Sequence, residues 1–248
     1  MSGDRASLLI PPSELRVFRS DSPCTARDAL ESVRGARAAL DGVMFENCDP
    51  HGRPYASSSC GDPEYLLFDA ARGLFEPSER PDRGGTVSVV GDSAVVLDGD
   101  AVARGASAAV QGYPTLVRRG VARGFGDDRS RQRVWRAGFG VARGMVLLAI
   151  ADMSLGDFAA WGRSLGADDF FYTDGGGSGR LEWSDGRWVG AAENRRVPSF
   201  LLWQPSSDLR FGAAAAAAGL AIAAIGAVVA AFTEAPGGDG SYTGGPDR

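Results

Sequence analysis

Lysine is missing from this 248-residue chain, histidine occurs once and cysteine three times. Without lysine, all 26 basic residues are arginine, which reads as the codon bias of a GC-rich genome rather than as chemistry. They fall short of the 31 acidic residues, and a net charge of −5 excludes general nucleic-acid binding, which needs a basic face to neutralise phosphates. The lone His51 sits in the turn sequence Asp49-Pro50-His51-Gly52, so a Ser-His-Asp or Cys-His mechanism would hang on one exposed loop ring. Cys24, Cys48 and Cys60 cannot close a disulfide set, and their spacing with His51 makes a poor zinc set. A Cys48 to Cys60 bridge and free thiols both stay open. Also lacking is an N-terminal apolar run. Met1 to Ser20 offers only Leu8-Leu9-Ile10 before Pro11-Pro12, short of the roughly 7 to 15 residues of a secretory signal.

A hydrophobic share of 44% with 23% charge is that of a chain able to bury a core, and the length suits one domain plus an appendage. The appendage is expected at the C-terminus. Gly212 to Phe232 carries no charged or polar side chain, and at about 1.5 Å per residue it would span the roughly 30 Å hydrocarbon layer. This predicts a single-pass C-terminal membrane anchor with the lipid bilayer as partner. Because the run is mostly alanine, a helix packed against protein is the competing reading. Gly212, Gly219 and Gly226 would fall near one face and permit an oligomer through close helix packing. Arg210 on one flank against Glu234, Asp239 and Asp247 on the other gives a weak bias toward a cytoplasmic main domain and leaves the side open. Residues 1–24 read as an N-terminal extension, 25–207 as the domain, and 233–248 as a flexible glycine-rich tail.

Within the domain, Thr25 to Leu40 has Ala29, Leu30, Val33, Ala36 and Leu40 at helical spacing behind the cap Thr25. Asp49 to Gly61 and Phe75 to Gly85 are rich in Gly, Pro, Ser and Asp and read as loops around the short apolar run Tyr65 to Phe68. Short β-type runs then recur at Val87 to Val90, Ala94 to Leu97, Leu116 to Arg118, Val134 to Phe139 and Met145 to Ala149. A helix is expected over Leu155 to Leu165 with Gly166 after its end, then a strand over Phe170 to Tyr172. A hairpin is expected around Ser184-Asp185-Gly186, and a last strand over Ser199 to Trp203. The expected fold is α/β, more narrowly α+β: a single mixed-sheet domain with flanking helices, followed by the transmembrane helix.

Chemistry is expected at Asp174-Gly175-Gly176-Gly177-Ser178. Three glycines in a row remove every Cβ and let backbone N–H groups approach an anion. The segment lacks the Gly-Lys-Ser of a P-loop and the context of a dinucleotide fold.

Four segments in order resemble the phosphodiester glycosidase family, together covering roughly residues 35 to 205. They are Asp41-Gly42-Val43-Met44-Phe45, Gln111-Gly112-Tyr113-Pro114-Thr115-Leu116-Val117, and Arg136-Ala137-Gly138-Phe139-Gly140 running through the strand to Asp152. The fourth is Leu165-Gly166-Ala167, the Asp174 glycine segment, and Arg195-Arg196-Val197-Pro198-Ser199. Asp41, Val43, Ala137, Met153 and Ser199 depart from the family pattern, as does Asn194 ahead of Arg195. The resemblance implies hydrolysis of a sugar-1-phosphodiester to free sugar and a phosphomonoester. Such chemistry needs a carboxylate near the sugar C1 and a second acid or base, for which Asp174 and then Asp152 are the candidates. Arg136 joins them as catalytic, and Asp41, Gly175, Gly176, Gly177, Ser178, Arg195 and Arg196 are expected to bind substrate, the arginines as forks for the phosphate. No cofactor and no obligatory metal are expected, since no loop has a recognisable ligand spacing. A membrane-tethered carbohydrate-binding protein without catalysis, or a structural envelope or virion component, is the alternative that the departures suggest.

Overall fold

Alternating short apolar runs broken by Gly and Asp turns leave most of the chain little choice but sheet. The computed structural model describes residues 4–42, 64–125, 131–192 and 195–206. In chain order its elements are β1 (Arg5–Ile10), β2 (Leu15–Cys24), α1 (Ala26–Ser32), β3 (Ala38–Asp41), β4 (Leu67–Asp69), β5 (Leu74–Glu76), β6 (Gly85–Val90), β7 (Ser93–Asp98) and β8 (Ala108–Gly112). There follow β9 (Thr115–Arg118), β10 (Val121–Ala122), β11 (Val134–Ala142), β12 (Met145–Met153), α2 (Leu155–Ser164), β13 (Ala167–Gly175), β14 (Arg180–Trp183), β15 (Trp188–Gly190) and β16 (Val197–Trp203).

The strands form three sheets, ordered β1-β12-β11-β13-β9-β10, β15-β14-β3-β16-β2 and β5-β4-β8-β6-β7. Every pairing among the described strands is antiparallel. The α+β class expected from the sequence is therefore dominated by sheet, and the single mixed sheet resolves into three antiparallel ones. Connection length is the reason. Turns such as Arg143-Gly144, both at positive φ (53° and 74°), join β11 to β12 in two residues, whereas a parallel neighbour needs a crossover of about a dozen.

Two further elements differ from the sequence reading. Residues 5–24, taken as an extension, supply β1, paired along β12 from Arg5↔Ala151 to Ile10↔Val146, and β2 on the edge beside β16. The helix read over Thr25 to Leu40 stops at Ser32. Its start is as expected, with a capping box in which the Asp28 N–H donates to Thr25 Oγ1 (3.2 Å) and the Thr25 N–H to Asp28 Oδ2 (2.9 Å). Val33 is extended, Gly35 takes φ +84°, and Ala38 to Asp41 becomes a strand buried on both faces. Leu40 faces the central core and Ala39 packs with the α1 residues, so tertiary burial overrides the helical spacing.

The central core takes residues from all three sheets, among them Leu40, Leu181 and Leu201, Phe139, Ile150 and Phe171, and Val87, Val89 and Val110. A second cluster lies under α1, and a third under α2, where Phe158 and Phe170 pack at 5.2 Å between ring centroids. Each such side chain contributes about 1.5–3 kcal/mol by leaving water. Among the described residues no helix is long and apolar enough to cross a membrane. The expected anchor Gly212 to Phe232 lies outside the described residues, as do His51, Cys48, Cys60 and Val43 to Phe45.

Candidate active site

The glycine segment is where the first sheet hands the chain to the second. β13 ends in Gly175, and after a short turn β14 begins at Arg180 beside β3. Glycine is required there for two reasons. A Cβ on Gly175 would meet the Trp135 carbonyl and the Tyr172 hydroxyl, and Gly176 stands at φ +63°. The Gly176 N–H donates to the Trp135 carbonyl (2.8 Å), which ties the turn to β11. Asp174, half-buried at the entry, accepts the Gly175 N–H on Oδ1 (2.7 Å) and a hydrogen bond from Ser178. Burial nevertheless raises its carboxyl above the ordinary range, against the lowering pull of those bonds and of Arg195.

Asp41, at the end of β3, is 2% exposed, and its Oδ2 has no hydrogen-bond partner among the described residues. Its carboxyl is pushed well above the usual range, first by burial and then by the negative charge of Asp174. The Arg180 N–H and the Arg180 charge oppose that rise. The carboxyl at the end of β13 thus acts on the one at the end of β3, in a different sheet. Ser199 on β16 sits against the same strand end, where a Cβ on Gly42 would fall 2.5 Å from Ser199 Oγ. Ser199 Oγ and Thr173 Oγ1 are likewise buried without a partner among the described residues. A site with spare donors and acceptors beside two carboxyls can hold a polar ligand and exchange protons with it.

Arg136 faces Gly175 across the β11–β13 ladder, hydrogen-bonds Tyr172 and lies over its ring at 5.7 Å. Tyr172, raised to about 12 mainly by burial and then by Asp174, was not singled out from the sequence. Spacing could not have found it, because a bulge at Thr173 and Asp174 breaks the alternation of β13 and brings Tyr172 and Gly175 to one face. The two neighbouring arginines part company. Arg195 acts on Asp174, whereas Arg196 acts on Cys24 and Asp28 near the start of α1.

Asp152 stands apart from this group. It pairs with Trp135 across β12 and β11 and takes an ion pair from Arg133 (3.2 Å). Together they line an open cleft of about 460 Å³ with Val134, Gly176, Gly177, Ala191 and Ala192. Asp174 is thus in reach of Asp41, Ser178 and Arg195, Arg136 lies on Tyr172 opposite Gly175, and Asp152 lines a cleft with Gly176 and Gly177 of the same turn. Among the described residues no group of three or more His, Cys, Asp or Glu has the arrangement of a metal site.

Other motif residues prove to be architectural. Gln111 is fully buried, accepts the Leu66 N–H (3.1 Å) and donates to the carbonyls of Arg80 (3.0 Å) and Arg83 (2.7 Å). It clamps two loops. Gly112 and Gly138 leave room for the rings of Phe139, Phe158, Phe170 and Phe171.

With this geometry in view, comparison with known proteins is informative. The phosphodiester glycosidase family model matches residues 72–203, more than half of the 248. The chain belongs to the phosphodiester glycosidase family. The match takes in Arg136, Asp152, the glycine turn and Arg195, while Asp41 lies ahead of it. No curated protein sequence matches the chain. Among solved structures, it resembles the catalytic domain of zebrafish N-acetylglucosamine-1-phosphodiester alpha-N-acetylglucosaminidase, auto-inhibited by its pro-peptide. That likeness has a TM-score of 0.61 at 13% identity over 83% of this chain and 85% of the other. A hypothetical protein from Synechocystis resembles it with a TM-score of 0.50 at 14% identity, over 80% of this phosphodiester glycosidase family member and 58% of the other chain. At such identities the likeness shows the fold.

Proposed function

We propose that the protein hydrolyses sugar-1-phosphodiesters, with Asp41 and Asp174 as the acid–base pair. The observation that carries this reading is the meeting of two carboxyls with raised proton affinities at a glycine turn flanked by arginines. Their environments separate their roles. Asp41, buried and with no partner for Oδ2 among the described residues, holds its proton longer and is the donor to the phosphate oxygen. Asp174, supported by the Gly175 N–H, Ser178 and Arg195, ionises first and serves the C1 centre, taking the proton of the attacking water. In that step the C1–O bond breaks, the water oxygen bonds C1, and the phosphate leaves as a monoester on the other moiety. Arg136 and Arg195 meet the anion.

The test is release of free sugar from a panel of sugar-1-phosphodiesters by the full chain, with Asp174→Asn as control. Turnover that the substitution abolishes is the expected result. Sugar binding without turnover from a folded protein would instead support the non-catalytic carbohydrate-binding reading. Membrane attachment through Gly212 to Phe232 belongs to the same proposal and rests on that run alone. Flotation with lipid vesicles checks it, and a chain that stays at the bottom of the gradient would count against an anchor.

A further inference from the structure

Behind Asp41, on the face of the second sheet covered by α1, lies a row of charges that neither the motifs nor the turn calls for. Arg180 is 8% exposed, Glu182 3%, and both sit on β14 next to β3. Arg180 Nε donates to Glu182 Oε2 at 2.9 Å, and its guanidinium lies 4.1 Å from the centre of the Trp188 ring. Glu182 Oε1 in turn takes Arg27 from α1, with contacts of 2.7 Å from Nε and 2.6 Å from Nη2. At the other end, the Arg180 N–H hydrogen-bonds the Asp41 carboxyl. Burying such a row costs several kcal/mol per ion before pairing, so a purely structural strand pair is better served by apolar residues of similar size. An interior charge held from both sides acts at short range on whatever carboxyl lies next to it.

We propose that Arg180, clamped between Glu182 and Trp188 and braced through Glu182 by Arg27, is the positioning residue for Asp41. It orients that carboxyl through its backbone N–H, while Glu182 offsets the Arg180 charge, so that the proton Asp41 holds through burial is not lost to the neighbouring guanidinium. The proposal rests on the acid role assigned to Asp41 above, but its test does not need turnover.

Among the described residues, the charged groups facing Asp41 are Asp174 from β13 and Arg180 from β14, with Glu182 and Arg27 behind Arg180. Glu182→Gln keeps the size of the side chain and one acceptor oxygen for the two guanidiniums while removing a negative charge. The positive charge then acts on Asp41 more fully, and Asp41 should titrate lower by about half a pH unit or more. Arg27→Gln removes a positive charge from a half-exposed position on α1, and the midpoint should move the opposite way. The experiment is ¹³C-carboxyl NMR titration of the full chain in detergent micelles, with the Asp41 resonance assigned by Asp41→Asn. Arg187→Gln on the exposed hairpin, whose own partner is Asp185, is the control and should leave the midpoint in place. Opposite shifts from the two variants support the brace, because loosened packing alone would not reverse sign with the charge removed. If Glu182→Gln does not fold, an upward shift in Arg27→Gln carries the result. Midpoints unmoved in the folded variants, or moved alike by both, overturn the proposal. If the shifts appear and no phosphodiester is cleaved, the brace stands and the assigned activity falls.

Discussion

Asp174 and Asp152 both close strands of the same sheet and both border the glycine turn, yet they occupy opposite electrostatic worlds. Asp174 shares its site with Asp41, and burial raises both carboxyls against the pull of nearby arginines. Asp152 has one dominant neighbour, an arginine whose side chain is 63% exposed, in an open cleft. Identical side chains two strands apart thus differ in setting, one meeting a second carboxyl in a buried site and the other an exposed arginine. The lesson is that a carboxylate's place at a strand end nominates it, while burial and a second carboxyl qualify it.

Substitution can break that contrast. Asp174→Asn and Asp41→Asn should each lower kcat for phosphodiester hydrolysis by about 10²- to 10⁴-fold, while Asp152→Asn should change it much less, all measured by sugar release. Gly175→Ala comes next, since its Cβ would strike the Trp135 carbonyl and the Tyr172 hydroxyl. The turn must shift, and kcat should fall more than thermal stability, as activity assays beside melting curves will show.

Stability sharpens the same comparison with a sign. Asp41 binds its proton more tightly folded than unfolded, so its contribution is full below the ordinary carboxylate range and is lost as pH rises through the raised range. Asp41→Asn should therefore melt higher than the unsubstituted chain at pH 7 to 8, by about 1 kcal/mol or more, with the difference vanishing in acid. Calorimetry across pH reads this directly. The smallest effect belongs to the exposed pair: Arg133→Ala should cost no more than about 1 kcal/mol in denaturant melts, and less in high salt.

Much of the sheet framework was legible because it is local. β6, β7, β11, β12 and α2 follow from alternation, spacing and turn residues, and each lies close to its predicted range. The glycine turn was legible too as a turn, since β13 ends at Gly175 and Gly176 takes a positive φ. What the sequence hid was long-range. Nothing in Ala38 to Asp41 says that β3 will lie between β14 and β16, so the helical spacing through Leu40 looked better than it was. For the same reason Asp41 ranked behind Asp152 as a carboxylate partner of Asp174: proximity depended on a sheet in which Leu40 pairs with Leu181, far along the chain. Arg180 and Glu182 sit in an ordinary hairpin strand, and their pairing with Arg27 across 155 residues has no local signature.

The claim that matters most is that the carboxyl pair, and not the exposed aspartate, carries the chemistry. The most direct measurement sets the full chain beside Asp174→Asn and Asp152→Asn and follows sugar release from one cleaved sugar-1-phosphodiester. Turnover kept in Asp152→Asn and lost in Asp174→Asn is the predicted result. Turnover that survives Asp174→Asn, or disappears equally in a folded Asp152→Asn, would contradict it.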